Sequence, residues 1–258
     1  MQHVDIPSYY NVLRYETIGS TNAEAARLAA SGEDAAPDGT LVWSLEQTDG
    51  RGRRGRHWNS PVGNLYTSIL LRPKVPLRQA AQLGFVAALA VHDALRALGP
   101  DRCQVHCKWP NDVLVNHKKT SGILLESHGG DAESAPDWVV LGMGLNLISH
   151  PEGQEPSATS ILHEGFSCTL EQVLAAYTGY FLKWKDQWLS QGFAPIRAGW
   201  QSCCKGRGDM IEVRLENQTL EGVFDDIDDE GVLLLNHDGH VRRISAGDVF
   251  FPHVATVS

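Results

Sequence analysis

Between Val105 and Leu147 the chain passes through four short apolar stretches, Val105 to Trp109, Val113 to Val115, Gly122 to Glu126 and Trp138 to Leu147. Asn, Asp, Gly and Lys turns separate them, and strands in such succession imply a mixed or antiparallel sheet. Earlier, Asn11 to Ile18 alternates loosely as a strand. It runs into Thr21-Asn22-Ala23-Glu24, a T-x-x-E capping box opening an Ala-rich helix to about Ala30. Strand, tight turn and helix in that order make a ligand-binding junction. Thr40 to Gln47 and Leu65 to Leu71 read as further strands, and Leu77 to Leu98 as one long helix, apolar on most faces and therefore buried. Leu170 to Gln191 sets Val173, Leu174, Tyr177, Phe181, Trp184 and Trp188 at helical spacing, a packed apolar face rather than an aromatic ligand box.

After Cys204 the pattern changes. Met210 to Leu215, Leu220 to Phe224, Val232 to Leu235 and Val241 to Ile244 are strands joined by Glu216-Asn217, Asp228 to Gly231 and Asp238-Gly239 turns. They predict a small all-β barrel, and Lys205-Gly206-Arg207-Gly208 reads as a short flexible link. The expected division is therefore 1–204 and 205–258, in a fold of the α/β (α+β) class. With 42% hydrophobic and 21% charged residues in 258, the chain is neither disordered, collagen-like nor coiled coil, and no repeat is visible. No uninterrupted apolar run of membrane-spanning length occurs, and MQHVDIPSYY lacks the basic and apolar regions of a signal peptide. Five cysteines, two of them adjacent (Cys203 and Cys204), argue against a disulfide framework. A cytoplasmic protein with no membrane partner is expected.

Four segments can carry chemistry. In Gln47-Thr48-Asp49-Gly50-Arg51-Gly52-Arg53-Arg54-Gly55-Arg56-His57-Trp58, alternate glycines let backbone N–H groups approach a ligand, while guanidiniums offer paired donors to phosphate or carboxylate. The net charge is −9, so this positive knot in an acidic chain points to a local anionic ligand, and Trp58 can stack on a base. In Lys108-Trp109-Pro110-Asn111-Asp112, Pro110 fixes a turn after a strand and aims polar side chains at one place. Lys118-Lys119-Thr120-Ser121-Gly122-Ile123-Leu124 puts an ammonium at the mouth of an apolar strand, where it can neutralise a carboxylate against a phosphate. Gly142-Met143-Gly144-Leu145-Asn146 permits close approach and can turn Asn146 toward a ligand. Alone, the first two read equally well as a linker and a capped surface turn, and the third reads better as two solvated lysines in a hairpin; the four in this order exceed chance.

That ordered set resembles the biotin protein ligases, with high specificity from Ser20-Thr21-Asn22 to Asn146 and more weakly into the C-terminal barrel. The resemblance implies a catalytic domain related to the class II aminoacyl-tRNA synthetases, carrying a small SH3-like barrel. It implies that biotin carboxylate attacks the α-phosphate of ATP, with magnesium on the phosphates, and that a lysine of a biotin carboxyl carrier protein then takes the biotinyl group. Ser20, Thr21, Asn22 and Gln47 match the family positions that grip the ureido head. Arg51, Gly52 and Arg53 match the loop that closes on carboxylate and phosphate, and Lys119 the lysine near the reacting centre. Gly50, Arg53, Arg54, Arg56, Trp58, Lys108, Asn111 and Asn146 form the expected nucleotide set, with Trp58 beside adenine. Asp112 is a candidate base for the carrier amine, or a metal or hydroxyl contact; the metal ligands are otherwise open. Asp49 is a candidate to pair with one arginine and tune loop opening.

Family members that double as repressors carry an extra DNA-reading domain, for which a first strand near Asn11 leaves no room, so no DNA partner is expected. The oligomeric state, monomer or homodimer, stays open. Rival readings are a lipoate ligase or octanoyltransferase of the same fold, and a nucleic-acid-binding module built on Arg51 to Arg56, which the net charge disfavours. A zinc site at Cys103-x-x-His106-Cys107 lacks a second ligand pair, and core thiols are the better reading.

Overall fold

In the computed structural model, which describes residues 5–153 and 155–251, two sheets share one apolar core. Met1 to Val4 and residues 252–258 lie outside the described residues, and with them part of the N-terminal segment and of the barrel expected from the sequence. The larger sheet has seven strands in the order β1-β2-β3-β7-β6-β5-β4. They are β1 (Asn11–Ile18), β2 (Thr40–Gln47), β3 (Leu65–Leu71), β4 (Val105–Lys108), β5 (Asp112–Val115), β6 (Lys118–His128) and β7 (Trp138–Leu145). Only β1 and β2 pair in parallel; the other pairs are antiparallel. The mixed sheet expected from the succession of strands is present.

Strand alternation sorts side chains between its faces. Val42, Leu70 and Val140 pack with Ala25 and Ala29 of helix α1 (Thr21–Ala30). Leu41, Ile69 and Leu141 face the larger core, with α3 (Leu83–Leu98), α4 (Leu170–Gln191) and α5 (Phe193–Cys203) on that side.

The stretch 77–98 is two helices, α2 (Leu77–Ala80) and α3, rather than one. At the junction Gly84 N–H bonds to Ala81 O and Phe85 N–H to Gln82 O, a tighter turn. The buried Gln82 side chain accepts a hydrogen bond from Trp188 Nε1 at 2.8 Å. By length and composition this stretch is apolar enough to cross a bilayer, yet most of α3 is buried in the core. The capping box also differs. Ser20, in extended conformation, is the N-cap and accepts from Ala23 N–H, whereas Thr21 is already helical and turns its hydroxyl to Gln47. Glu24 instead pairs with Arg27 and Tyr15.

The second sheet is antiparallel, in the order β11-β10-β9-β8-β12. Its strands are β8 (Met210–Arg214), β9 (Thr219–Ile227), β10 (Leu233–His237), β11 (His240–Ile244) and β12 (Asp248–Phe250). Residues 205–208 are not a loose link: Lys205 N–H bonds to Cys107 O at 2.8 Å and Gly208 N–H to Phe224 O at 2.7 Å. The turn at Gly231 presses on α3, where a Cβ would come within 2.5 Å of the Phe85 ring, and Gly231 O accepts from buried Trp109 Nε1. The small sheet is thereby seated against the Lys108–Asp112 segment.

Candidate functional site

A cavity of about 520 Å³ lies along β6 and β7 and is lined by residues of all four sequence segments. Leu124 pairs with Gly142, Gly122 with Gly144, and Asn146 N–H bonds to Thr120 O, so these contacts span roughly 13 Å at about 3.3 Å per residue.

At the Leu124 end the wall is neutral and polar. The N-terminus of α1 supplies Ser20, Thr21 and Asn22, all buried. Thr21 N–H and Oγ1 both donate to Gln47 Oε1, Gln47 Nε2 donates to Ser60 Oγ at 2.9 Å, and Ser60 Oγ donates to Trp58 O. Asn22 Nδ2 donates to Glu126 Oε2 at 2.6 Å, while its Oδ1 accepts from Ser68 Oγ at 2.6 Å. Gly142 is required for this packing, because a Cβ there would lie 2.1 Å from Asn22 Oδ1. In the middle, the Trp58 indole rests on Gly122 and Gly144, where Cβ atoms would come within 3.0 and 2.6 Å of the ring, and Lys119 Nζ stands 5.4 Å from its centroid.

The charged part follows. Lys119 Nζ is 2.5 Å from Asp112 Oδ1, and Lys108 Nζ is 3.8 Å from Asp112 Oδ2. Burial works to raise the Asp112 pKa, but the Lys119 and Lys108 ammonium groups outweigh it and hold the carboxyl below its usual range. Asp112 is therefore a firmly ionised anchor for two ammonium groups. Burial lowers the Lys108 pKa against the opposing pull of Asp112. Arg53 Nη1 donates to Asn111 Oδ1 at 3.1 Å, and Asn111 Nδ2 donates to Ile123 O. Asn146 Nδ2 donates to Thr159 O, so its amide braces the wall while its residue lines the cavity.

The Arg/Gly segment forms a small hairpin, closed by the Arg51–His57 bridge and by Gly52 N–H to Arg56 O. Arg54 and Gly55 both take positive φ, 56° and 71°, which reverses the chain at the tip. The carboxylate that meets this hairpin is Asp248 of β12, not Asp49. It lies 2.9 Å from Arg56, 3.7 Å from Arg54 and 3.9 Å from Arg53. Among the expected residues, Arg54 and Gly50 do not line the cavity. A Cβ at Gly50 would strike Trp58 O and Ser60 Oγ, so its part is to let the hairpin base close.

Sequence reasoning missed Ser60, Ser68, Asp248, Phe250 and the Glu155–Ala158 segment. The polar pair Thr67-Ser68 inside an otherwise apolar strand was a readable signal for Ser68; a Gly-Asp-Val-Phe run carries none for Asp248. Cys103 and Cys107 are buried in the core, and His106 stacks on His117. No group of three His, Cys, Asp or Glu side chains suited to a metal ion occurs among the described residues. With Asp112 held by two lysines, these side chains do not fit a protein-held magnesium ion.

Chemically, this is a cleft with a shape-selective neutral end and a cationic middle, suited to joining an uncharged polar head to an anionic reacting group. The model of the biotin/lipoate A/B protein ligase family matches residues 56–202, and that of the biotin protein ligase C-terminal domain matches 208–251. A biotin–[acetyl-CoA-carboxylase] ligase of Paracoccus denitrificans is 42% identical over 240 residues, covering 90% of this chain and 97% of that protein. A bifunctional ligase/repressor of Bacillus subtilis is 35% identical over 93% of this chain and 73% of its own length. The solved biotin protein ligase of Aquifex aeolicus, in complex with biotin and ATP, superposes with a TM-score of 0.76 at 26% identity, over 93% of this chain and 97% of that one.

Proposed function

The chain belongs to the biotin/lipoate A/B protein ligase family, and from that premise and the cavity we infer that it is an ATP-dependent biotin protein ligase. A biotin carboxylate oxygen attacks the α-phosphorus of ATP, the bond to pyrophosphate breaks, and biotinyl-5′-AMP forms. A carrier lysine amine then attacks the carbonyl carbon and AMP leaves. The observation that carries this reading is the pair of ammonium groups, Lys119 and Lys108, held on Asp112 midway along the cavity, with Arg53 bonded to the adjacent Asn111, beyond a neutral hydrogen-bonding end. Two anions must meet there, and fixed positive groups offset their repulsion where charge builds up.

Ser20, Thr21, Asn22 and Gln47 suit a cyclic urea, whose carbonyl and N–H groups need both donors and acceptors in a buried wall. Trp58, seated on Gly122 and Gly144, separates this end from the nucleotide end and offers an adenine a stacking face. Arg51, Gly52 and Arg53 close over the carboxylate and phosphate, and Arg56, Lys108, Asn111 and Asn146 edge the nucleotide. Magnesium would arrive with the ATP phosphates as their counter-ion. The acceptor is a biotin carboxyl carrier domain of a carboxylase; the names of the relatives carry acetyl-CoA carboxylase as the protein acted on. Five free cysteines suit a reducing, cytoplasmic compartment. The neutral end favours biotin over lipoate, which has no ureido group to satisfy it.

The test incubates the protein with biotin, ATP, magnesium and a biotin-accepting carrier domain. The expected product carries one biotinyl group on one lysine, with AMP and pyrophosphate released in equal amounts. A carrier left unmodified, or modified with ATP omitted, contradicts the assignment.

A further inference from the structure

Behind the cavity wall, two thiols that the reaction does not use face each other. Cys107 on β4 immediately precedes Lys108, and Cys203 ends α5; their Sγ atoms are 3.5 Å apart. The chain at this point is already tied, since Cys204 bridges Cys107 in parallel and Lys205 N–H bonds to Cys107 O. A bond between the sulfurs needs a further approach of about 1.5 Å, within the reach of side-chain rotation and a small backbone shift. We propose that Cys107 and Cys203 are an oxidative modification site, whose reversible disulfide fastens β4 to the end of α5 and slows adenylation by displacing Lys108.

The surroundings favour Cys203 as the attacking thiol. The Cys107 interaction brings the Cys203 pKa down to about 7, against the opposing effect of burial, and His92 assists; Cys203 Sγ also lies 3.5 Å from Gly199 O and from Trp200 O. Burial works against a charge on His92, but the Asp93 carboxylate, 2.9 Å from Nδ1 and itself held by Trp184 Nε1, raises its pKa. Burial and the Cys203 neighbour drive the Cys107 thiol up. Cys203 retains 7% exposure whereas Cys107 has none, so Cys203 is the more accessible residue of the two. Cys204, by contrast, is pushed up by burial and by Cys203.

With a hydroperoxide as oxidant, the Cys203 thiolate attacks one peroxide oxygen. The O–O bond breaks, Cys203 becomes a sulfenic acid, and hydroxide leaves to be protonated as water. The Cys107 sulfur then attacks the Cys203 sulfur, and the S–O bond breaks as the S–S bond forms. The Cys107 proton leaves with the hydroxyl as a second water. Two thiols are oxidised by two electrons and hydrogen peroxide is reduced to two waters. A dithiol reductant reverses the step by exchange.

The activity readout rests on the ligase reading, whereas the chemical readout does not. The full chain is treated with stoichiometric hydrogen peroxide, quenched with an alkylating agent in denaturant, and its non-reduced peptides are mapped by mass spectrometry. The expected result is a Cys107–Cys203 cross-link ahead of any change at Cys103, Cys168 or Cys204. Biotin-dependent pyrophosphate exchange should fall by about tenfold or more and return with dithiothreitol, since ångström-scale displacement of a positioned group costs up to ~10²-fold. In Cys107→Ser, dimedone should trap a sulfenic acid at Cys203. Absence of the cross-link in the folded wild-type protein overturns the proposal, as does a cross-linked protein with unchanged exchange. If exchange is absent before oxidation, the ligase reading fails, and the peptide map still decides the thiol chemistry.

Discussion

The neutral and charged parts of the cavity are built on opposite plans. Around Thr21, Asn22 and Gln47, hydrogen bonds run in one connected network through Ser60, Ser68 and Glu126, and these groups have partners before any ligand arrives. Around Lys119 and the arginines, cations share carboxylates: Asp112 serves two lysines and Asp248 three arginines. The first plan is preorganised and recognises shape. The second stores positive charge against internal anions and yields it to substrate anions. Substitutions at the neutral end should therefore change affinity, whereas those at the charged part should change rate, release and pH response.

The largest effect sharpens that contrast at its centre. Lys119→Ala should lower the adenylation rate by roughly 10²–10³-fold, the cost of losing one positioned electrostatic group, while Lys108 still neutralises Asp112 and keeps the fold. Rapid-quench measurement of biotinyl-adenylate formation beside a thermal melt checks it; unchanged turnover removes Lys119 from the chemistry. At the neutral end, Gly142→Ala drives a Cβ into Asn22. Displacing the Asn22 amide should raise the KM for biotin roughly tenfold, equivalent to about 1.4 kcal/mol, with kcat little changed. A loss confined to kcat would break the comparison.

Asp248→Asn releases three arginines from a carboxylate that is itself partly exposed, so the loss is of order 1 kcal/mol. The hairpin loses its tie to the small sheet, and adenylate release should quicken about fivefold, measured by filter-binding chase. An unaltered release rate would show that Asp248 does not hold the hairpin closed. The smallest effect concerns pH. The folded pKa of Asp112 lies below its unfolded value of about 3.9. The stability it contributes is thus fully present above that value and lost as pH falls through the lower, folded one. Acid unfolding of the wild type should show this loss, whereas Asp112→Asn should be flatter with pH across the same window.

Much of the framework was legible because its signals are local. The loose alternation of β1, the apolar runs of β2 and β3 and the helical spacing in α4 read directly from the residues, as did the four segments that meet at the cavity. What the sequence hid depends on distant partners. The break after Ala80 follows from Gln82 turning toward Trp188, which is 106 residues away. Helix α5 begins directly at Gly192, where α4 ends, and is too short and weakly patterned for its own period to stand out in the sequence. Strand β12 has three residues, too few for a period, and the Asp248–arginine cluster joins segments 192 residues apart. Ser20 rather than Thr21 became the helix cap because the Thr21 hydroxyl is bound to Gln47, a competition invisible in a capping motif.

The central claim is that the neutral end selects the acid which the charged part activates. It is tested most directly by exchange of labelled pyrophosphate into ATP, with biotin, lipoate and octanoate supplied separately. Exchange supported by biotin and not by the other two acids is the predicted result. Exchange with lipoate or octanoate at a comparable rate, or none with biotin, would contradict it.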